Sequence, residues 1–480
     1  MLTWLSGKTH VSWLIAGGCS GLVIGVWLAL YVSIGGVWAL CGMAAVVAMF
    51  VLRTRYSVAV AGVAFGMVGC WYGSASLSDA QRLSPLVGEV VTITGTVRED
   101  PSLSGDGSIS LQLHKLRLGG YDVSGAIWVS LARKETIVRG DEVTVDGELT
   151  AGFGNFVGTM HRASVREIVR PIPGDVGRVV RDWFAEAVRL GIPEPQASLG
   201  IGFLTGQKSA LPEDLSEQLR IAGLTHIVVA SGYNLTILVR LARRLFSKHS
   251  RFLATSSSMA MIVSFIAVTG LSPSMTRAGL VSGLSLVAAN YGRSVHPFVL
   301  LPFIAAITVL WQPSFVWGDL GWQLSMTAFA GVMIVAPLMQ AYFFGPSPPG
   351  LLRQILGETV AAHLVTLPLI VLSFGTISHV AIIANLMIVP LVPLAMLLTF
   401  VVGIVGLVAP AIVSLVGLPA SWLLAYMTSV AGFLAELPWA QVDASSLAWA
   451  VPVYVVGLVS FCWYMQRKTK FRLREVNLVE

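Results

Sequence analysis

Long apolar runs separated by short polar breaks fill most of this chain, apart from one stretch in its first half. Runs near Val11–Val32, Ile34–Leu52 and Ser57–Ala75 open it. Each is close to the ~20 apolar residues that a helix needs to cross a bilayer. From about Pro85 to Arg170 the pattern changes to short β-branched segments: VGEVVTITGTVRED, GSISLQLHKLRL, GAIWVSLA, DEVTVDGELT and ASVREIV, divided by Gly, Asp and Ser turns. Alternation of this kind predicts strands. Five of them in so short a span fit an OB-like barrel, and other small β-barrels equally.

A mixed segment, 171–224, follows. Within it RVVRDWFAEAVRLG predicts an amphipathic helix, with Val179, Trp183, Val188 and Leu190 apolar and Arg178, Arg181 and Asp182 polar. Such a helix either lies on a membrane surface or packs on the β-domain. Nine further apolar runs complete the chain, near His226–Phe246, Phe252–Leu271, Pro273–Tyr291, His296–Trp311, Gly318–Met339, Arg353–Phe374, His379–Val408, Ala411–Leu437 and Ser446–Met465. Pro390 and Pro393 predict a kinked or broken helix in the His379 run.

Composition sharpens this picture. Only 12% of the 480 residues are charged and 55% are hydrophobic, against about 25% charged in soluble domains. Where the basic residues sit matters more than the net +6. Arg53 and Arg55 mark a cytoplasmic loop, as do Arg240, Arg243, Arg244, Lys248 and Arg251, and the tail QRKTKFRLR. About twelve spans with both termini inside satisfy these markers and put the β-domain outside. The expected fold class is therefore a polytopic α-helical membrane protein with an inserted extracytoplasmic OB-like β-barrel domain. Its parts are N-terminal helices (1–80), the β-domain (85–170), connecting helices (171–224), a second helical domain (225–466) and a basic cytoplasmic tail (467–480). The first run is too long for a cleaved signal peptide. Cys19, Cys41, Cys70 and Cys462 all lie in or beside apolar runs, with no CxxC spacing; packing, not a disulfide framework or metal site, is expected of them.

Candidate chemistry sits where polar groups interrupt apolar helices, because burying them in lipid is costly. The densest interruption, GLTHIVVASGYNLTIL, holds His226, Ser231, Gly232 and Asn234. These residues either hydrogen-bond helices together or line a cavity. A second, TGLSPSMTRAG, holds Ser272, Pro273, Ser274, Thr276 and Arg277; a third, GDLGWQLSMTAFAG, holds Asp319, Gln323 and Ser325. Glu358, His363 and Asn385 stand singly. The sequence has no HExxH, no GxSxG and no phosphate-binding GxxxxGK[ST] loop. No catalytic residue, metal site or cofactor is expected, and the chain is not expected to be an enzyme.

These blocks resemble a known family. GLTHIVVASGYNLTIL is similar to the G-L-x-H-x-x-A-x-S-G signature of the ComEC competence proteins. SPSMTRAGLVSGLSLVAANYGR and DLGWQLSMTAFAGV resemble the family's next two blocks, and ASLGIGFLTGQKSALPEDLSEQLRIAGLTHIV fits in order and spacing. The resemblance runs from about Val11 to Met465. It departs at Asn234, where many members carry histidine, and no HxHxDH motif of the metallo-β-lactamase-like domain found in many members is present. The resemblance implies an inner-membrane channel that passes single-stranded DNA into the cytoplasm during natural transformation. Implied partners are single-stranded DNA, membrane lipids, receptor or pilus proteins outside, a cytosolic ATPase and single-strand-binding proteins inside, and a separate nuclease. A phosphate backbone calls for cations and stacking surfaces. His226, Ser231, Gly232, Asn234, Ser272, Arg277, Gln323 and Ser325 are the expected path residues. Lys115, Arg117, Trp128, Arg133 and Lys134 are the expected β-domain contacts, with Tyr121, Phe153 and Phe156 for stacking. A secondary transporter of a small molecule or lipid is the alternative, and a membrane enzyme acting on lipid-linked sugars a third.

Overall fold

The computed structural model describes residues 10–38, 42, 55–103, 108–132, 136–172, 174–207, 211–228, 232–246, 248, 250–270, 272–293, 296–345, 347 and 349–469. It divides into two compact units, Met1–Gly174 with Val295–Gln323, and Asp175–Ser294 with Leu324–Glu480.

In the first unit, helices α1 (Val11–Leu28) and α2 (Arg55–Ala80) pack together along glycines. A Cβ on Gly21 would strike the Gly62 carbonyl, and one on Gly25 the Gly66 carbonyl. Small residues spaced by four let two backbones touch, the usual means of joining helices when lipid supplies no hydrophobic drive. The apolar helix Pro297–Trp311 leans on α1.

Strands β1 (Val90–Val97), β2 (Ser102–Leu103), β3 (Ile109–Leu118), β4 (Tyr121–Leu131), β5 (Glu142–Ala151) and β6 (Gly158–Val169) follow α2. The sheet runs β1-β5-β6-β4-β3, and β3 pairs back with β1, so five strands close into a barrel. Only β4–β6 is parallel; β2 is a two-residue extension on β3. Alternate residues point inward: Leu111 and Leu113 on β3, Ile127 and Val129 on β4, Val143 and Val145 on β5 are all buried. Closure leaves no long unpaired edge. The strand pattern in the sequence located this domain, but β6 begins five residues ahead of the ASVREIV segment. His161 and Arg162 sit where the β4–β6 register shifts, so the inside–outside alternation is broken there and the sequence does not read as a strand.

The second unit has a large apolar core that includes Phe203, Leu215, Val228, Val392, Leu424 and Met427. Amphipathic helix Val176–Arg189 belongs to this unit and packs on helices Val392–Val408 and Arg251–Thr269. The sequence leaves a membrane surface or the β-domain open to it, and the structure shows the faces it turns inward and outward. Of the four residues assigned to its apolar face, Val188 is buried but Val179, Trp183 and Leu190 are exposed, whereas Arg181 is buried. Asp182 makes this tolerable, because it accepts from Arg181 Nε at 2.9 Å and Arg178 Nη1 at 3.1 Å. The broken helix expected near Pro390 and Pro393 is present: Ala381–Ile388, a 3-10 turn at Val389–Leu391, then Val392–Val408. Each proline removes one backbone donor from the ladder.

Among the described residues, eight helices are long and apolar enough to cross a membrane: Val11–Leu28, Tyr56–Ser78, Phe252–Thr269, Leu320–Phe344, Leu352–Phe374, Ala381–Val408, Pro410–Ala435 and Ser445–Thr469. The sequence expectation of about twelve spans is larger. Most of the Ile34–Leu52 run falls outside the described residues. Helix Gly232–Phe246 has 15 residues, three of them Arg240, Arg243 and Arg244. Helix Pro273–Asn290 is diluted by serines and Arg277, and Pro297–Trp311 has 15 residues.

Candidate nucleic-acid path

The barrel's outer surface carries an aromatic cluster. Trp128 projects outward from β4, between the inward Ile127 and Val129. Its ring lies 6.1 Å from Phe153 and 5.5 Å from His161, and Phe153 lies 5.3 Å from Phe156. Phe153 and Phe156 come from the β5–β6 loop, so a strand and a loop build the patch together. Phe153 is 56% exposed, leaving ring surface open to a base. Tyr121, 81% exposed, starts β4 at the far end from this patch.

The cations differ in availability. Lys115 is exposed. Arg117 faces Asp122 and Glu142, each at 3.4 Å, and acidic neighbours oppose a phosphate contact there. Arg133 and Lys134 lie outside the described residues. His114, half-buried on β3, is held below its ordinary 6.5 by burial, with the charges of Arg98 and Lys115 adding to the effect.

Sequence reading missed how the barrel loops are seated. Arg98 Nη1 donates to Gln312 Oε1 at 3.1 Å, and Asn155 Nδ2 donates to Asp319 Oδ2 at 3.1 Å. Asp319 Oδ1 also accepts from the Trp322 backbone N–H at 2.7 Å and so caps the helix that begins at Leu320. Gln323 on that helix donates to the Val316 carbonyl at 2.9 Å. No local signal marks these pairings, because 164 residues separate Asn155 from Asp319.

In the second unit, Asn234 is fully buried; its Nδ2 donates to the carbonyls of Phe203 at 3.0 Å and Ile227 at 3.3 Å. Gly232 brings its helix against Ala278, the neighbour of Arg277. Ser272 caps helix Pro273–Asn290, accepting from the Met275 N–H at 3.3 Å. Arg277 is buried and its Nη2 donates to Ser274 Oγ at 3.1 Å. Thus the structure brings Gly232 together with the Arg277 block. His226 is exposed beside the buried Ile227, and Ser325 is half-buried. Ser231 lies outside the described residues.

Compared with known families, residues 203–468 match the family described as competence protein. The chain belongs to the competence protein family. The matched region holds more than half of the chain, includes Asn234, Arg277 and Gln323, and leaves the barrel outside it. No curated protein and no solved structure matches the chain. Family membership and eight membrane-length helices make this a membrane protein of a family tied to DNA uptake in transformation.

Proposed function

We propose that this competence-family protein is the channel that carries single-stranded DNA across the cytoplasmic membrane. The family match over the helical region carries the reading. In it, the protein has about twelve spans with both termini in the cytoplasm, and the barrel stands outside as an OB-like module. The closed barrel with one parallel strand pair and an aromatic patch supports that assignment. Incoming DNA stacks on Trp128, Phe153 and Phe156, then passes residues of the second unit near His226 and Arg277. The chain acts as a conduit and not an enzyme. Receptor or pilus proteins deliver DNA, a cytosolic ATPase and single-strand-binding proteins draw it in, and a separate nuclease removes the other strand.

Deleting the gene and following labelled DNA tests this. Label is expected to collect outside the cytoplasmic membrane and to be absent from the cytosol; unimpaired cytosolic label refutes the channel. The discontinuous helix Ala381–Val408 favours a second reading, a small-molecule or lipid carrier, since broken helices often hold such substrates. Normal DNA import by the deletion strain would leave that reading standing.

A further inference from the structure

Among the described residues, only two other than glycine have positive φ: Lys115 at 51° and Arg162 at 52°. Residues with long side chains seldom adopt this left-handed conformation. Both are cations and both are exposed. Each sits at a register shift, Lys115 between His114 and Leu116 on β3, Arg162 opposite the shift between Val129 and Leu131 of β4. Bulges of this kind re-aim side chains and often border binding sites.

Their surroundings separate them from the other cations of the barrel. Arg117 pairs with Asp122 and Glu142, Arg166 with Asp146, and Arg170 with Asp141. Among the described residues neither Lys115 nor Arg162 enters an ion pair. The fold therefore holds two cations in left-handed backbone with no ion pair among the described residues to offset the strain. Such strain gathers at ligand clamps.

The two flank Trp128. β3 and β6 lie on either side of β4. Lys115 is level with the stretch between Val123 and Ala126, and Arg162 with the stretch between Val129 and Leu131. That is about five residues apart along β4, roughly 17 Å. Trp128 falls between them, with His161 against its ring.

We propose that Lys115, Trp128 and Arg162 form a cation–aromatic–cation track on the outside of the barrel. It takes a single-stranded phosphodiester chain, with a base on Trp128 and phosphates at the two bulges. The assignment rests on the DNA-path reading and adds Arg162 and the purpose of the two strained bulges.

The test uses the full chain in lipid nanodiscs and a labelled oligothymidylate, read by fluorescence anisotropy. Lys115→Gly and Arg162→Gly remove charge and relieve the backbone together. Each is expected to raise the melting temperature while weakening binding. The double variant is expected to lose about 1.4 from the slope of log affinity against log salt, ~0.7 for each single-strand phosphate contact. Over a fourfold rise in salt this makes the wild type's loss of affinity about seven-fold larger than the variant's. Arg162→Lys is expected to restore most of the binding. Unchanged affinity and slope in the double variant, while Trp128→Ala still weakens binding, overturn the track and leave the DNA path intact. Absence of oligonucleotide binding by the wild type overturns both. A glycine variant that melts lower overturns the claim of strain.

Discussion

Substituting alanine for the facing glycines Gly21 and Gly62 of the α1–α2 pair is expected to give opposite results. On α1, a Cβ at Gly21 lands on the Gly62 carbonyl, and one at Gly25 on the Gly66 carbonyl. The obstacle is backbone in both cases, so no rotamer change relieves it, and the helices must part. Forcing extra atoms into a packed contact costs about 1–3 kcal/mol. At the two α2 glycines facing them the geometry is looser. A Cβ at Gly62 meets the Gly17 carbonyl at 3.4 Å, and one at Gly66 meets the Gly21 carbonyl at 3.4 Å. Those contacts are close to ordinary, while replacing a helical glycine gains roughly 0.5–1 kcal/mol of backbone entropy. Both glycines are helical and share that gain, so Gly21→Ala should lie about 1–3 kcal/mol below Gly62→Ala in stability, the cost of the backbone clash alone. Thermal unfolding of the purified protein, followed by size-exclusion fluorescence, measures the gap. Gly457→Ala, with open space around its added carbon, is the control. Equal destabilisation by Gly21→Ala and Gly62→Ala would refute the argument, because the close approach would then be symmetric.

Two further outcomes are expected. His114 titrates below its ordinary 6.5, chiefly from burial. The unfolded chain then binds the proton more readily, so this group's contribution is full above 6.5 and is lost as pH falls through the depressed value. Barrel stability should drop as the pH falls below 6.5, and His114→Gln should flatten that part of the profile in thermal melts. Arg277→Gln keeps hydrogen bonding to Ser274 and removes the charge. Membrane abundance should stay normal while import falls on the order of ten-fold, the equivalent of ~1.4 kcal/mol for one charge-assisted contact. Degradation of the variant instead would assign Arg277 to folding.

The features legible from sequence were those with a local period. Apolar runs of membrane length, strands alternating by two and the proline pair at Pro390 and Pro393 each act through near neighbours, and the structure contains them. Features that depend on distant partners were not legible. Helix Val176–Arg189 has a clear amphipathic pattern, yet which face turns inward depends on Asp182 neutralising Arg178 and Arg181 and on helices that follow much later. The early start of β6 was hidden because a bulge cancels the period that would reveal it. Nothing near Arg98 or Asn155 in the sequence marks them, and Asp319 reads there only as a polar residue opening a helix; folding pairs Arg98 with Gln312 and Asn155 with Asp319.

The same reasoning ranks the residues proposed for the path. A polar side chain that spends its donors on its own fold has fewer left for a passing strand. Asn234 gives its amide to two backbone carbonyls from the fully buried interior, and Ser272 gives its oxygen to a helix cap. Gln323 holds the Val316 carbonyl. These three order the helices around a path more readily than they line one. His226 is different, because it is exposed where Ile227 and Val228 after it are buried. Arg277 is different again: it is buried, and its Nη2 engages Ser274 within its own helix turn. On the barrel, Arg117 is held by two carboxylates while Lys115 and Arg162 are not. If DNA follows this surface, substitutions at Lys115, Arg162, His226 and Arg277 should alter import with the fold intact, whereas Asn234→Leu should reduce the amount of folded protein.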